Sequence, residues 1–141
     1  MEIKGRLAVF RSVIVPGVFV LGLGMLAAPS ARSHHSAAMF DDQVVLTLKG
    51  TVTRFDYLNP HSWLYVDVEN DDGSVTEWGF ELDAPPRLRR IGVSPTFWQA
   101  GDTVTVTTNP LRDGRPAGHL VGAVSEGGKT FGNVSGIAGV Q

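Results

Sequence analysis

The fold of this chain is decided by the stretch Trp63–Leu82, which reads WLYVDVENDDGSVTEWGFEL. In its first half, Leu64, Val66 and Val68 alternate with other residues, and a period of two predicts a half-buried strand. The Asp-Gly step at 72–73 is a strong hairpin signal. The second half, Val75–Leu82, alternates again. The stretch therefore predicts two antiparallel strands joined by a tight turn.

The second strand of this hairpin carries two acids on one face. Glu77 and Glu81 are four residues apart, so their side chains project to the same side of the strand. Because carboxylates are rarely buried, we expect this to be the solvated face.

Further strands and helical turns are predicted on either side of the hairpin. A long strand, Val44–Phe55, precedes it, and Gly50 in its middle predicts a bulge or a sharp coil. Strands Thr103–Thr107 and His119–Val124 follow. Between strands three and four, we expect a short helix that Asp83 caps and Gly92 ends, and a second helical turn at 94–101.

The order of strand, strand, strand, helix, strand, strand is that of the OB-fold, a five-stranded Greek-key barrel. We therefore predict an all-β, OB-fold-like barrel with one short helix between strands three and four. A β-meander or a small sandwich is the alternative. The expected core consists of Leu48, Val52, Leu64, Val66, Val104 and Val106.

The first 33 residues have the layout of a secretory signal peptide. Basic residues up to Arg11 precede an apolar and glycine run, Val13–Ala28, and small residues follow it. This run is short for a membrane span, which takes about 20 apolar residues, although a signal anchor is the alternative. We expect cleavage before His34, with cuts after Ser30 or Ala31 as alternatives.

The predicted organisation has four parts: signal peptide 1–33, N-terminal arm 34–43, barrel 44–125 and flexible tail 126–141. The mature protein is then periplasmic, with no stable membrane insertion. The chain has no cysteine, so disulfides, thiolate zinc sites and a lipid anchor are excluded. Removing the leader leaves 8 basic and 13 acidic residues, a net charge of −5, which disfavours nucleic acid as a partner.

Several short motifs in the mature chain are similar to those of a family of small exported bacterial proteins classified as a domain of unknown function. They are His34-His35-Ser36, the LKGTV run at 48–52, Asn59-Pro60-His61-Ser62-Trp63, the GDTV run at 101–104 and the PLRDG run at 110–114. The resemblance spans most of the mature chain and implies no activity.

The histidines are the strongest candidate ligands. A histidine at the mature terminus offers its α-amine and a ring nitrogen together, a chelate with high affinity for Cu(II). We therefore predict a metal site formed by His34, His35 and His61, with copper as the candidate cofactor. The alternative for His34 and His35 is a flexible polar terminus, and His119 is expected to be an ordinary surface histidine.

The candidate ligand-binding residues are Asn59, His61, Trp63 and Glu81, with no catalytic residue among them. His61 lies on the loop where OB-folds bind ligands, and Glu81 could serve as a third ligand or fix a histidine tautomer. A structural role is the alternative for Asn59, for His61 and for Trp63.

We expect a non-enzymatic periplasmic module that binds a small molecule or a metal ion. One alternative is a copper-dependent oxidative enzyme that uses His34 as its chelating residue. The other is a module that binds a protein partner through strand edges or the face of Trp63 and Tyr65.

Overall fold

A computed structural model describes residues 38–138, which form a closed barrel of five strands with one short helix and a sixth strand. The elements in chain order are β1 Leu46–Asp56, β2 Ser62–Glu69, β3 Val75–Leu82, α1 Pro85–Arg90, β4 Thr103–Pro110, β5 Ala117–Ser125 and β6 Thr130–Gly132. The predicted signal peptide and the histidines His34 and His35 lie outside the described residues.

The barrel closes through the long first strand and a short parallel pairing. β1 pairs antiparallel with both β4 and β2, and Gly50 lies opposite Val104 on one side and Val68 on the other. β3 then pairs in parallel with β5, where residues 79–81 lie opposite 117–119. This is the strand order of an OB-fold, so the predicted fold class is confirmed.

The core lies inside the barrel, as the alternation predicts. Five of the six expected core residues are at most 1% exposed, and the sixth, Leu48, is partly buried against the same cluster. Leu88 of α1 is fully buried and Trp98 is 2% exposed, so the connection between β3 and β4 covers one end of the barrel. The five expected residues that are buried are Val52, Leu64, Val66, Val104 and Val106.

The hairpin between β2 and β3 has a turn stabilised by local hydrogen bonds. The carboxylate of Asp72 accepts bonds from the hydroxyl and the amide of Ser74, and these bonds lower the pKa of Asp72 below its usual value. Gly73 has a φ of 80°, which favours glycine because it has no Cβ.

The helical region departs from the sequence prediction in two ways. Asp83 does not cap α1: the N-cap is Ala84, which makes no side-chain bond and is extended because Pro85 follows it. Asp83 instead pairs with Arg87 at 2.8 Å. The prediction of a second helical turn is wrong, since residues 94–101 contain turns, bends and irregular positions but no helix. In the part of the chain that the structure describes, no helix is long and apolar enough to cross a membrane.

The expectation for the acidic face of β3 is half wrong. Glu77 is exposed and lies 3.4 Å from Arg54, but Glu81 is 6% exposed. Its burial follows from the loop before β2, which brings His61 against the carboxylate.

The segment after β5 also holds structure that the sequence did not predict. β6 pairs with β5, the ring of Phe131 lies 5.6 Å from that of Trp98, and Ile137 is 6% exposed. The chain from Thr130 to Ile137 therefore packs against the barrel.

Candidate functional site

The candidate site begins with a histidine and a buried carboxylate. His61 precedes β2, and the pairing of Trp63 with Glu81 brings the start of β2 beside the end of β3. The Nδ1 atom of His61 contacts the Oε1 atom of Glu81. The Glu81 side chain is 8% exposed and that of His61 36%. We assign the proton to Nδ1 because an ionised carboxylate only accepts hydrogen bonds, and this leaves Nε2 facing away from the pair.

A second histidine joins this pair through the strand pairing that closes the barrel. His119 on β5 lies opposite Glu81 on β3. Neither side chain belongs to the interior cluster, which instead contains their sequence neighbours Phe80, Leu82 and Leu120. The side chains of Glu81 and His119 therefore lie next to each other on the outside of the barrel.

The described part of the N-terminal arm forms one wall of the site. Phe40 is buried and makes an isolated β-bridge with Leu111. Its ring lies 5.8 Å from that of His119, tilted by 51°. Asp41 donates its amide to the carbonyl of Pro110 at 2.8 Å. The arm is therefore attached to the turn between β4 and β5, next to His119.

Together these elements enclose a cleft of about 330 Å³, near the lower end of the usual range for ligand sites. The lining combines two imidazoles, three carboxylates and an amide with two apolar side chains: Phe40, Asp42, His61, Glu81, Leu82, Asp83, Asn109 and His119. Such a set of nitrogen and oxygen donors suits a small cation.

The donors are close together but do not form a complete metal centre by themselves. Within residues 38–138, no group of three or more histidine or acidic side chains is arranged to hold a metal ion. His119 is exposed, so its ring can change rotamer at small cost. The cleft could therefore gather a cation only with some movement of His119 or with donors from elsewhere in the chain.

The sequence-predicted residues have different positions relative to the cleft. His61 and Glu81 line it together, whereas His34 and His35 fall outside the described residues. Asn59 is exposed on the loop before β2 and is not part of the lining. Trp63 is half-buried, and its ring stacks on that of Tyr65 at 6.3 Å, beside the cleft.

Sequence reasoning missed six of the lining residues as site candidates. His119 is the most important of them, because only the parallel pairing of β3 with β5 places it opposite Glu81. Nothing local in the sequence encodes that register. The other five are Phe40, Asp42, Leu82, Asp83 and Asn109.

No curated protein matches the chain significantly, and no solved structure does so either. One family is matched over most of the chain. Residues 23–120 match the model of the family of unknown function DUF6152, and the chain therefore belongs to that family.

Proposed function

We propose that this protein is an exported, non-enzymatic module that binds a divalent transition-metal ion, with copper preferred, in the cleft between His61 and His119. The observation that carries the proposal is the contact of a buried carboxylate, Glu81, with His61 in a cleft that also contains the second histidine of the barrel.

The contact between Glu81 and His61 suits metal binding for a chemical reason. Histidines that bind metals usually donate their other ring N–H to a carboxylate or carbonyl, which fixes the tautomer and raises the basicity of the ligating nitrogen. Here Nδ1 of His61 is held by Glu81, so Nε2 is the ligating atom in this proposal. His119 provides the second imidazole.

The surroundings of the two histidines favour a cation and narrow its identity. Asp42 and Asp83 also line the cleft and add carboxylate oxygens, although each is paired with an arginine, Arg112 and Arg87 respectively. The chain has no cysteine, so all donors are nitrogen or oxygen. For such donors copper(II) has the highest affinity among the common divalent metals of the first transition row.

The remaining donors in this proposal come from the arm. His34 and His35 precede Phe40 by six and five residues, and Phe40 is itself part of the cleft wall. If the leader is cut before His34, the new α-amine is an additional donor.

The first prediction is that the mature protein, beginning at His34, binds Cu(II) at micromolar or lower concentration in a calorimetric titration. His61→Gln should weaken binding at least about tenfold, because it removes an imidazole while its amide can still donate to Glu81. His119→Gln should weaken binding similarly.

Two further variants serve as a control and as a test of the α-amine in this titration. Glu77→Gln removes an exposed acid that lies outside the cleft lining, and it should bind copper like the parent. A protein with one extra residue before His34 tests the amine, because it moves the α-amine away from the histidine. Absence of micromolar binding by the parent protein, or full affinity in both histidine variants, would overturn the proposal.

The two alternative functions, a copper-dependent enzyme and a protein-binding module, predict different results for the same variants. A copper-dependent oxidative enzyme requires His34 at the terminus and His61 as the second histidine, so the extended protein and His61→Gln should both lose copper affinity strongly, while His119→Gln should keep it. Binding of a protein partner through the face of Trp63 and Tyr65 is less favoured, because the guanidinium of Arg54 already covers the Tyr65 ring at 3.4 Å.

A further inference from the structure

Two adjacent arginines of α1 differ from every other basic residue in the described part of the chain. Residues 38–138 contain eight lysines and arginines, and six of these pair with acids. The two that make no ion pair within this range are Arg89 and Arg90, and both are exposed. Leu88, which precedes them, is fully buried. The helix is therefore anchored to the barrel while both guanidinium groups face solvent.

These arginines belong to a region that we call the basic end, which consists of residues 57–60 and 84–101. Its two segments are joined by Tyr57, whose hydroxyl lies 3.0 Å from the carbonyl oxygen of Pro85 and 3.1 Å from that of Val93. The basic end contains three arginines and no acid, although the mature chain has a net charge of −5. Positive charge is therefore concentrated at one end of an acidic protein.

The acids that border the basic end in the sequence do not cancel this charge at Arg89 and Arg90. Each of the three is paired with another basic residue, and these pairs are Asp56 with Arg54, Asp83 with Arg87, and Asp102 with Lys129. The charge of Arg89 and Arg90 is therefore left for a partner outside the described residues.

Two exposed aliphatic side chains also belong to the basic end. Leu58 follows Tyr57 and is 60% exposed, and Ile91 follows Arg90 and is 58% exposed. Such exposure places them on the outside of their loops, and neither lines the cleft of His61. Basic residues stabilise the C-terminal turn of a helix, but this effect does not explain aliphatic side chains exposed beside them.

We infer that the basic end is a docking surface for an anionic lipid bilayer, with Arg89 and Arg90 at the headgroups and Leu58 and Ile91 in the outer acyl region. Arginines beside aliphatic side chains are typical of segments that lie at a membrane interface. A bilayer is flat and deformable, so it suits side chains that protrude from loops. The inference goes beyond the proposed metal site and does not depend on it, because none of these residues lines the cleft.

The acids elsewhere in the protein do not prevent this contact at moderate salt. β2 leads from the basic end to the turn with Asp71 and Asp72, and its eight residues span about 25 Å. The Debye length is about 10 Å at 0.1 M salt, so a bilayer at the basic end acts weakly on those acids. Each arginine near an anionic surface strengthens binding about fivefold. An anionic bilayer therefore favours one orientation of the protein.

The test is co-sedimentation of the mature protein with vesicles at about 0.1 M salt. The protein begins at His34, so the apolar run of the leader is absent. One set of vesicles contains phosphatidylglycerol and phosphatidylcholine in equal amounts, and the other contains phosphatidylcholine alone. We expect binding to the mixed vesicles only, and we expect about 0.5 M salt to release the protein because it screens the arginines.

Two variants separate the charged and the apolar contributions. Arg89→Gln combined with Arg90→Gln should lower the partition coefficient by about 10- to 25-fold, which is about fivefold for each arginine. Ile91→Ser should lower it at least about fourfold, because each buried methylene group contributes about that much. Arg89→Lys combined with Arg90→Lys keeps both charges and should retain most of the binding.

A matched control removes two positive charges from another part of the barrel. Lys49→Gln combined with Arg115→Gln changes the net charge equally, and the two side chains are 65% and 66% exposed. This control should bind within about twofold of the parent, because its charges lie outside the basic end and are screened. Circular dichroism checks that each variant keeps the fold.

Three results would overturn the inference. They are no binding of the parent to the mixed vesicles, equal binding to phosphatidylcholine alone, and equal affinities of the double glutamine variant and the control. Parallel titration with poly-glutamate identifies the other kind of partner, since binding to it without binding to vesicles would replace the bilayer by an acidic protein. All measurements are made without metal, so a failure of the proposed copper site would not change them.

Discussion

Removal of His61 and removal of Glu81 should lower the stability of the protein by different amounts, because the two side chains differ in exposure. The carboxylate side chain is 8% exposed, whereas the imidazole side chain is 36% exposed and can reach water. Removal of the imidazole leaves a buried charge without its partner, and that costs more than removal of the carboxylate. The effects of the two single substitutions on the free energy of unfolding should therefore not add up to the effect of the double substitution.

We predict that His61→Ala lowers the free energy of unfolding by about 1–3 kcal/mol at pH 7, the usual cost of an unsatisfied buried polar group. Glu81→Met, which is similar in length and apolar, should cost less. The double variant should recover part of the loss seen in His61→Ala, because the unpaired carboxylate is gone. Urea unfolding measures all three, and strictly additive effects would contradict the pairing.

For individual residues, the sequence predicted part of the candidate site. His61 and Glu81 lie on a loop and a strand whose positions follow from local alternation, and both were candidates. The burial of Glu81 was missed because alternation shows which residues share a face but not what covers that face. His119 was missed because its neighbour across the barrel is set by a long-range register.

Among the elements, β1 carries the strongest geometric restraint. Gly50 lies where the strand pairs with β2 and β4 together, and a Cβ atom there would lie 2.2 Å from the carbonyl oxygen of Asp67. The sequence predicted a bulge or sharp coil at this residue. The register shift lies between Val52 and Arg54 instead, and Gly50 is required for the close approach of a neighbouring strand.

We predict that Gly50→Ala destabilises the barrel by about 1–3 kcal/mol, because the Cβ would displace backbone and not a flexible side chain. Gly127→Ala is the matched control, since a Cβ there meets nothing within 4 Å, and it should change stability by less than about 0.5 kcal/mol. Thermal unfolding followed by circular dichroism measures both. Equal melting temperatures for the two variants would show that β1 can move away from β2.

The connection between β3 and β4 shows why helix prediction was less successful than strand prediction. Its residues Phe97 and Trp98 are adjacent, and both pack against the core cluster. Neighbouring residues on a helix point about 100° apart, so a helix would bury one and expose the other. Turns let both rings pack inward, and this tertiary demand overrides the local signals at Ser94 and Gly101.

For the molecule as a whole, the order of elements was enough to predict a closed barrel, because few folds place one helix between strands three and four. The extent of the domain was harder to predict. The tail is rich in glycine, a composition typical of flexible ends, but apolar residues such as Phe131, Val134 and Ile137 lie within it. Apolar side chains separated by glycines and polar residues give no alternation that would predict a strand.

Because the segment from Thr130 to Ile137 packs against the barrel, we expect it to unfold together with the barrel, and Phe131 tests this expectation. Its ring packs against Trp98 at 5.6 Å, and Trp98 also contacts Phe55 of β1 at 5.1 Å. We predict that Phe131→Ala lowers the free energy of unfolding by about 1–3 kcal/mol, below the usual cost for a fully buried ring because Phe131 is only partly buried. Urea unfolding followed by tryptophan fluorescence gives the value, and Thr130→Ala, an exposed neighbour, should leave it nearly unchanged. If both variants unfold like the parent, the segment after β5 contributes nothing to the barrel, and the domain ends at Ser125.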